Sequence, residues 1–293
     1  MPTRLLPKIS PTTGGIILLL LGELFFSSST VFAKIATNIA PVNPHLFVFL
    51  RFALGLILVT AYLWFKKESF LPERWSLVIA RGVLNTISVS FFFLALKYTS
   101  VTNANMLNMT YPAFVFLIAP LVIQEKSHAQ GWLYLCLTLL GAFLVINPDF
   151  HAINRGDVYG LLSGAISGAA IVSLRMARKY ESSTIILFYL MLIGTLITTG
   201  FVFPHFCIPG GVVGLYIWGA VLCGLLGQAL ITIGYKYIAA TSGSLVSASR
   251  IVFASILGVS FCGDHLTWLI VLGGVLILWS LISLSLPQSK KTH

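Results

Sequence analysis

Charged residues are scarce in this chain of 293 residues. Only 9% of its residues are charged, whereas about a quarter are charged in soluble globular domains. Another 57% are hydrophobic, and they fall in long continuous runs. A hydrocarbon core of about 30 Å is crossed by roughly 20 helical residues. The sequence therefore excludes a soluble domain and predicts an all-α polytopic membrane protein.

The motifs of several function classes are also missing. The four cysteines are scattered without CxxC spacing, which argues against a disulfide framework and against a metal site. There is no GxxxxGK[ST] motif to bind the phosphates of ATP. All six histidines lie in predicted loops or at the ends of predicted spans, so the spans contain no paired catalytic groups. We expect no cofactor and no enzymatic activity.

The apolar runs, separated by charges and turn residues, predict ten transmembrane spans. They cover residues 15–36, 46–65, 76–96, 103–123, 129–147, 157–178, 184–203, 212–235, 243–262 and 266–286.

Basic residues outnumber acidic residues by ten, and their positions indicate membrane topology rather than a nucleic-acid partner. With the N-terminus in the cytoplasm, only Lys34, Lys97 and Arg155 fall on the outer side. This inside bias predicts that both termini face the cytoplasm, in a bacterial inner membrane. The twelve inner residues are Arg4, Lys8, Lys66, Lys67, Arg74, Lys126, Arg175, Arg178, Lys179, Lys236, Lys290 and Lys291.

A pattern that begins at Lys97 returns 139 positions later at Lys236. Thr102 then matches Thr241, and Glu125 matches Asp264, so polar residues and apolar runs repeat together. We predict a duplicated unit, with one copy in residues 1–148 and the other in residues 149–293. Because five spans is an odd number, the second copy enters the membrane from the opposite side, and the repeats are inverted. Inverted repeats usually hold a substrate site at the midplane between them.

Several segments resemble those of the EamA-type, ten-helix members of the drug/metabolite transporter superfamily. They are Phe49-Leu50-Arg51-Phe52, Arg81-Gly82, Ala95-Leu96-Lys97-Tyr98, Asn108-Met109-Thr110-Tyr111-Pro112, Glu125 and Gly141. The second half repeats the pattern more weakly, with Tyr235-Lys236-Tyr237, Asp264 in place of Glu, and Ser280 in place of Gly. The resemblance implies transport of a small metabolite or drug without covalent chemistry.

Two opposite charges lie inside predicted spans at nearly the same depth. Glu23 is about eight residues into the first span, and Arg250 is about seven residues into the ninth. A buried charge is costly in a bilayer, so a Glu23–Arg250 pair is expected. Two interpretations stay open at this point: a structural pair that locks the spans, or a site that contacts a charged substrate or takes up a proton. Arg51 and Arg81 lie nearer span ends, where long side chains can reach the headgroups.

Other polar side chains recur at helical spacing. Asn105, Asn108 and Tyr111 are predicted to lie on one side of the fourth span, and the 139-residue offset matches them with Ser244, Ser247 and Arg250. The alternative is that these groups only hold helices together. The predicted substrate-binding residues are Glu23, Arg81, Asn85, Asn105, Asn108, Tyr111, Gln228, Ser247 and Arg250.

Together these patterns favour a secondary transporter that works by alternating access and moves a small polar metabolite, such as an amino acid, a nucleoside or S-adenosylmethionine. Proton coupling through Glu23 is possible, and the protein is a monomer or a homodimer. A passive channel or facilitator is the alternative, because it would have the same sequence features.

Overall fold

The computed structural model describes residues 10–98, 107–125, 129–146, 155–203, 206–261 and 267–285. Within these ranges every regular element is a helix. The helices are α1 (Pro11–Ile39), α2 (Pro44–Lys66), α3 (Trp75–Tyr98), α4 (Tyr111–Val122), α5 (Ala129–Ile146), α6 (Arg155–Ala177), α7 (Ser183–Val202), α8 (Gly211–Gly234), α9 (Ala240–Ser247), α10 (Ser249–Phe261) and α11 (Trp268–Ser285).

The helices agree with the predicted spans. In the described residues, seven helical segments are long and apolar enough to cross a membrane, and α9 with α10 counts as one of them. Three shorter apolar helices, which are α4, α5 and α11, occupy the places of the fourth, fifth and tenth predicted spans. The prediction of an all-helical polytopic membrane protein is confirmed at this level.

Local signals fix several helix starts. Ser10 caps α1 by accepting a hydrogen bond from the Thr13 N–H, and a proline follows at the first helical position. Asn43 caps α2 in the same way, again with a proline after it. Ser182 caps α7 through the Ile185 N–H. These caps satisfy backbone donors that a helix end would otherwise leave unpaired.

The pairing of helices has a simple symmetry. The most extensive contacts join α1 with α8, α3 with α6, α5 with α11, and α2 with α7. In terms of the predicted spans, these contacts join spans 1 and 8, 3 and 6, 5 and 10, and 2 and 7. When each span is replaced by the equivalent span of the other half, five places away, the contact 1–8 becomes 6–3 and the contact 3–6 becomes 8–1. The contacts 5–10 and 2–7 are unchanged. The two halves of the chain therefore pack against each other in an interlocked way, and neither half forms a separate bundle.

Contacts along helix α6 show at which end of the bundle α3 and α8 finish. Near its beginning, the Tyr159 ring lies 6.0 Å from the ring of Tyr98, which ends α3. Near its end, Arg175 donates a hydrogen bond to the Lys236 carbonyl after α8. Sixteen residues separate the two points, or roughly 24 Å of helix. The ends of α3 and α8 therefore lie at opposite ends of the bundle.

The fourth and ninth predicted spans are both interrupted. A turn at Met109 and Thr110 precedes α4, and a turn at Ala248 separates α9 from α10. At both turns an amide bonds the carbonyl three residues back, Thr110 to Leu107 and Ala248 to Leu245, instead of four residues back. Such 3₁₀ geometry inside a helix often marks a functional hinge. The 139-residue offset matches Met109 with Ala248, so the interruptions are equivalent in the two halves.

Candidate functional site

The expected pair of buried charges is present. Glu23 on α1 accepts a hydrogen bond from the Nε of Arg250 on α10 at 2.5 Å. The Glu23 side chain is only 1% exposed, whereas 28% of the Arg250 side chain is accessible. Arg250 therefore keeps accessible surface although it contacts α1 from the other half of the chain.

A second guanidinium group lies close to this pair. The guanidinium carbon of Arg250 lies 4.6 Å from the centroid of the Phe26 ring, and the guanidinium carbon of Arg51 lies 5.8 Å from the same centroid. Arg51 also lies 5.3 Å from the ring of Phe52, and its Nε is buried without a partner. The expectation that Arg51 extends to the membrane interface is wrong, because its side chain turns inward onto aromatic faces that attract a cation.

Four consecutive hydroxyl residues, 27–30, follow Glu23 on α1, and they make two kinds of contact. Ser28 and Thr30 bond carbonyl groups one turn back on their own helix. Ser27 donates to the backbone carbonyl of Arg250, and Ser29 donates to the Ala220 carbonyl on α8. The four consecutive hydroxyls therefore face different directions. Ser29 bonds α1 to α8, and Ser27 bonds α1 to α10 beside the ion pair.

A line of polar groups extends from the ion pair through three hydroxyl groups, those of Tyr111, Ser247 and Tyr235. Tyr111 at the start of α4 lies within electrostatic range of both Glu23 and Arg250, and its phenol approaches Ser247 at the end of α9. The phenol of Tyr235 approaches the same serine from the end of α8. Tyr235 is fully buried, and its hydroxyl makes no hydrogen bond of normal geometry. The Ser247 side chain therefore lies near both tyrosines, without a hydrogen bond of normal geometry to Tyr235.

Arg81 lies at the far end of this line, within electrostatic range of Tyr235. It is only 2% exposed, so the expectation that it reaches the membrane interface is also wrong. Its Nε has no hydrogen-bond partner, and neither has the side-chain nitrogen of Asn85 one turn further along α3. Gln228 on α8 is buried as well, at 4% exposure.

Polar groups of α3, of α6 and of the segment just before α4 form a separate, neutral cluster. Asn108 donates to the Ser163 hydroxyl at 2.7 Å, and Ser163 donates in turn to the Ser88 carbonyl. The Ser88 hydroxyl donates to the Ser163 carbonyl and contacts Ser167. The prediction that Asn108 and Tyr111 share one face is wrong, because the turn between them redirects the chain. Ser88, on α3, belongs to this neutral cluster and makes no contact with Arg81 among the hydrogen bonds of the described residues. Asn105 lies outside the described residues.

The second ion pair of the described residues lies at one end of the bundle. Glu125 accepts from the Nε of Arg175 at 3.0 Å and from the Ala240 N–H, so it caps α9. Arg175 also donates to the carbonyls of Tyr235 and Lys236. Nearby, burial lowers the pKa of Arg178. Every oxygen of Glu125 has a partner here, and the cluster holds the ends of four helices together.

Sequence reasoning missed two parts of the central site. Phe26 lies between two guanidinium groups, and nothing in the sequence distinguishes it from the many other aromatic residues of the spans. Tyr235 shares a helical face with Gln228, but that spacing alone could not identify its buried hydroxyl. Among the described residues, no group of three His, Cys, Asp or Glu side chains could hold a metal ion.

Comparison with known proteins agrees with this architecture. The model of the EamA-like transporter family matches the chain twice, over residues 13–147 and 154–286. An uncharacterized transporter of Helicobacter pylori is 25% identical over 94% of this chain and 96% of its own length. Human solute carrier family 35 member G1 is 23% identical over 93% of this chain and 79% of its own length. An S-adenosylmethionine uptake transporter of Rickettsia felis is 24% identical over 56% of each chain.

The fold also has a match among solved structures. A crystal structure aligns with a TM-score of 0.80 over 93% of this chain and 96% of its own chain. The sequence identity is 16%, so this match concerns the fold alone.

Proposed function

The chain belongs to the EamA-like transporter family, and we propose that it is a secondary active transporter of a small polar organic metabolite. The substrate binds beside Glu23 and Arg250, and alternating access at the interface of two inverted five-span repeats carries it across the membrane. Both termini face the cytoplasm, and the membrane is a bacterial inner membrane. Coupling of transport to proton uptake by Glu23 is part of this proposal.

Several observations support the inverted arrangement. The contacts between helices are preserved when the halves are exchanged, and the family model matches each half once. Lys236 contacts one end of α6, and Tyr98, the residue after Lys97, contacts the other end. Interrupted helices at equivalent positions in two repeats are typical of transporters, which use the unwound segments to line a substrate site.

The functional interpretation of Glu23 and Arg250 depends on one difference between the two halves. Equivalent helix crossings are neutral in one half and charged in the other. Where the segment before α4 crosses α6, Asn108 and Ser163 make a neutral hydrogen bond. At the equivalent crossing of α10 with α1, the contact is a carboxylate with a guanidinium group that remains 28% accessible. The fold therefore does not need charges at this place. A buried, partly accessible charge is by default a functional group in a membrane protein.

The test uses purified chain in proteoliposomes, with radiolabelled amino acids, nucleosides and S-adenosylmethionine, with and without a pH gradient. A secondary transporter gives saturable uptake and counterflow, whereas a passive channel gives neither. Glu23→Gln and Arg250→Ala should lower uptake by about 100-fold, because removing one partner of a buried charge pair costs several kcal/mol of binding. Glu125→Gln is the matched control, since that carboxylate also pairs with an arginine but lies at the end of the bundle.

If Glu23→Gln and Arg250→Ala fail to insert or to stay assembled while Glu125→Gln does not, the pair is a structural lock and the proposed site is wrong. A pH gradient that drives accumulation in the unaltered chain but not in Glu23→Gln supports proton coupling. Equal uptake with and without the gradient contradicts it.

A further inference from the structure

The charges inside the bundle do not balance. Glu23 compensates Arg250, but among the described residues no carboxylate forms an ion pair with Arg51 or Arg81. A guanidinium group stays protonated in proteins. The polar centre therefore carries an excess of two positive charges, one at each end of the line of groups that runs from Arg51 to Arg81.

Three unpartnered donors lie toward the Arg81 end, since Asn85 is one turn from Arg81 on α3 and Tyr235 is within electrostatic range of Arg81. The Nε of Arg81, the side-chain nitrogen of Asn85 and the hydroxyl of Tyr235 are all buried, and none has a hydrogen-bond partner in the part of the chain that the structure describes. Buried polar groups are nearly always hydrogen-bonded, and an unsatisfied buried donor costs about 1–3 kcal/mol. Three of them, one on a buried cation and two near it, therefore indicate a missing acceptor with negative charge.

The shapes of the donors favour a particular acceptor. A guanidinium group presents its N–H groups as a planar fork that matches the two oxygens of a carboxylate. The Asn85 amide, one turn further along α3, and the Tyr235 hydroxyl, at the end of α8, each add a donor. The ring of Tyr235 is held in place, because a Cβ added to Gly243 would lie 2.6 Å from it. The hydroxyl therefore has a fixed position beside Arg81.

We propose that Arg81, Asn85 and Tyr235 form a carboxylate-binding subsite, and that the transported solute is a small organic acid with net negative charge. This inference rests on the proposed function and narrows its substrate class. It excludes S-adenosylmethionine, which has net positive charge, and neutral nucleosides.

The decisive substitution is Tyr235→Phe, because it removes the hydroxyl and keeps the buried ring. If the hydroxyl is only an unsatisfied core group, its removal leaves the melting temperature of the ligand-free protein equal or higher and changes nothing else. If it binds a carboxylate, the affinity for the organic acid falls about 10-fold or more, as for the loss of a hydrogen bond to a charged group. Tyr189→Phe is the matched control, since that hydroxyl donates to the Phe70 carbonyl away from the site.

Binding and transport are measured separately, so that the two proposals can fail independently. Binding is followed by the ligand-induced rise in melting temperature of the purified full chain, and transport by counterflow in proteoliposomes. The probes are succinate and glutarate as dianions, glucose 6-phosphate as a phosphate ester, leucine as a zwitterion, uridine as a neutral solute, and S-adenosylmethionine. Arg81→Gln and Asn85→Leu are tested alongside Tyr235→Phe.

The expected result is that a dicarboxylate raises the melting temperature, and that all three variants weaken this effect while Tyr189→Phe does not. Binding of the anion without counterflow leaves the subsite in place and contradicts the transporter. Saturable transport of leucine, uridine or S-adenosylmethionine with a KM unchanged in Tyr235→Phe keeps the transporter and overturns the subsite. A preference for the phosphate ester, or no binding of any anion, overturns the carboxylate assignment.

Discussion

Two crossings occupy equivalent places in the two halves of this protein, and they are built differently. At the crossing of α3 with α6, Ser88 and Ser163 exchange hydrogen bonds through each other's backbone carbonyls, and Asn108 joins them. At the crossing of α1 with α8, Gly22 and Gly227 bring the backbones together, and the ion pair lies beside them. One side is neutral and saturated, and the other is charged and partly open.

This difference separates what the fold requires from what the site requires. Close packing of helices in a membrane needs small residues and a few hydrogen bonds, and the neutral side has both. The charged side has the same close approach, since a Cβ on Gly227 would lie 2.8 Å from the Gly22 carbonyl oxygen. Its charges are therefore additional to the packing. This is the ground on which we propose that they bind the substrate.

The largest effect is expected when the charged side is made to resemble the neutral side. In the double variant Glu23→Ala with Arg250→Tyr, Tyr takes the place that Tyr111 has in the first half. We expect a folded protein with uptake lowered at least about 100-fold, because both binding charges are gone. Uptake in proteoliposomes and size-exclusion chromatography in detergent check this. Loss of assembled protein would show instead that the fold depends on the pair.

A steric change on the neutral side comes next. A Cβ added to Gly164 would lie 2.6 Å from the Leu107 carbonyl oxygen and 2.8 Å from the Thr110 hydroxyl. Gly164→Ala should force α4 and α6 apart and destabilise the protein by about 1–3 kcal/mol. Thermal unfolding in detergent measures the change. Gly14→Ala is the control, because a Cβ there has nothing within 4 Å. Equal stability of the two variants would contradict the close contact.

A smaller loss is expected when a hydroxyl is removed from the same crossing. Ser163→Ala leaves the side-chain nitrogen of Asn108 with only its weaker contact to Ser167 at 3.4 Å. We expect destabilisation of about 1 kcal/mol and an unchanged KM, because the cluster holds helices and does not face the ion pair. Unfolding and uptake are measured on the same preparation. A raised KM with normal stability would assign Asn108 to the substrate site.

The smallest effect is expected for Ser28, beside the charged pair. Its hydroxyl bonds the Leu24 carbonyl of its own helix and no other element. Ser28→Ala should change stability by no more than about 0.5 kcal/mol and leave uptake unaltered. Ser27→Ala, which removes a bond to the Arg250 backbone, should have a clearly larger effect in the same two assays. Equal effects of the two variants would mean that Ser27 does not position Arg250.

Much of the architecture could be predicted because the bilayer restricts a chain to few solutions. Long apolar runs must form helices there, so the spans could be located to within a few residues. The depth of a charge follows from its distance along the helix, which is why the pairing of Glu23 with Arg250 could be expected. The cap residues Ser10, Asn43 and Ser182 likewise act on the next turn of the chain, and local sequence suffices for them.

The site was harder to predict, because helical spacing assumes an uninterrupted helix. The turn at Met109 and Thr110 separated Asn108 from Tyr111 and placed them at different crossings. Distance from a span end suggested that Arg81 reaches the headgroups, yet its burial depends on how α3, α6 and α8 pack around it. Spacing along one helix contains no information about that packing.

The sequence by itself determined that the chain is helical, lies in the membrane, and consists of two similar units, because hydrophobic length and repeated polar residues are properties of the chain alone. Only the tertiary structure decided which buried polar groups have partners. Asn108 bonds serines on α6, whereas the Arg81 Nε, the Asn85 side-chain nitrogen and the Tyr235 hydroxyl have no hydrogen-bond partner among the described residues. Whether a buried donor is satisfied depends on groups that are distant in sequence, and these meet only when the two halves interlock.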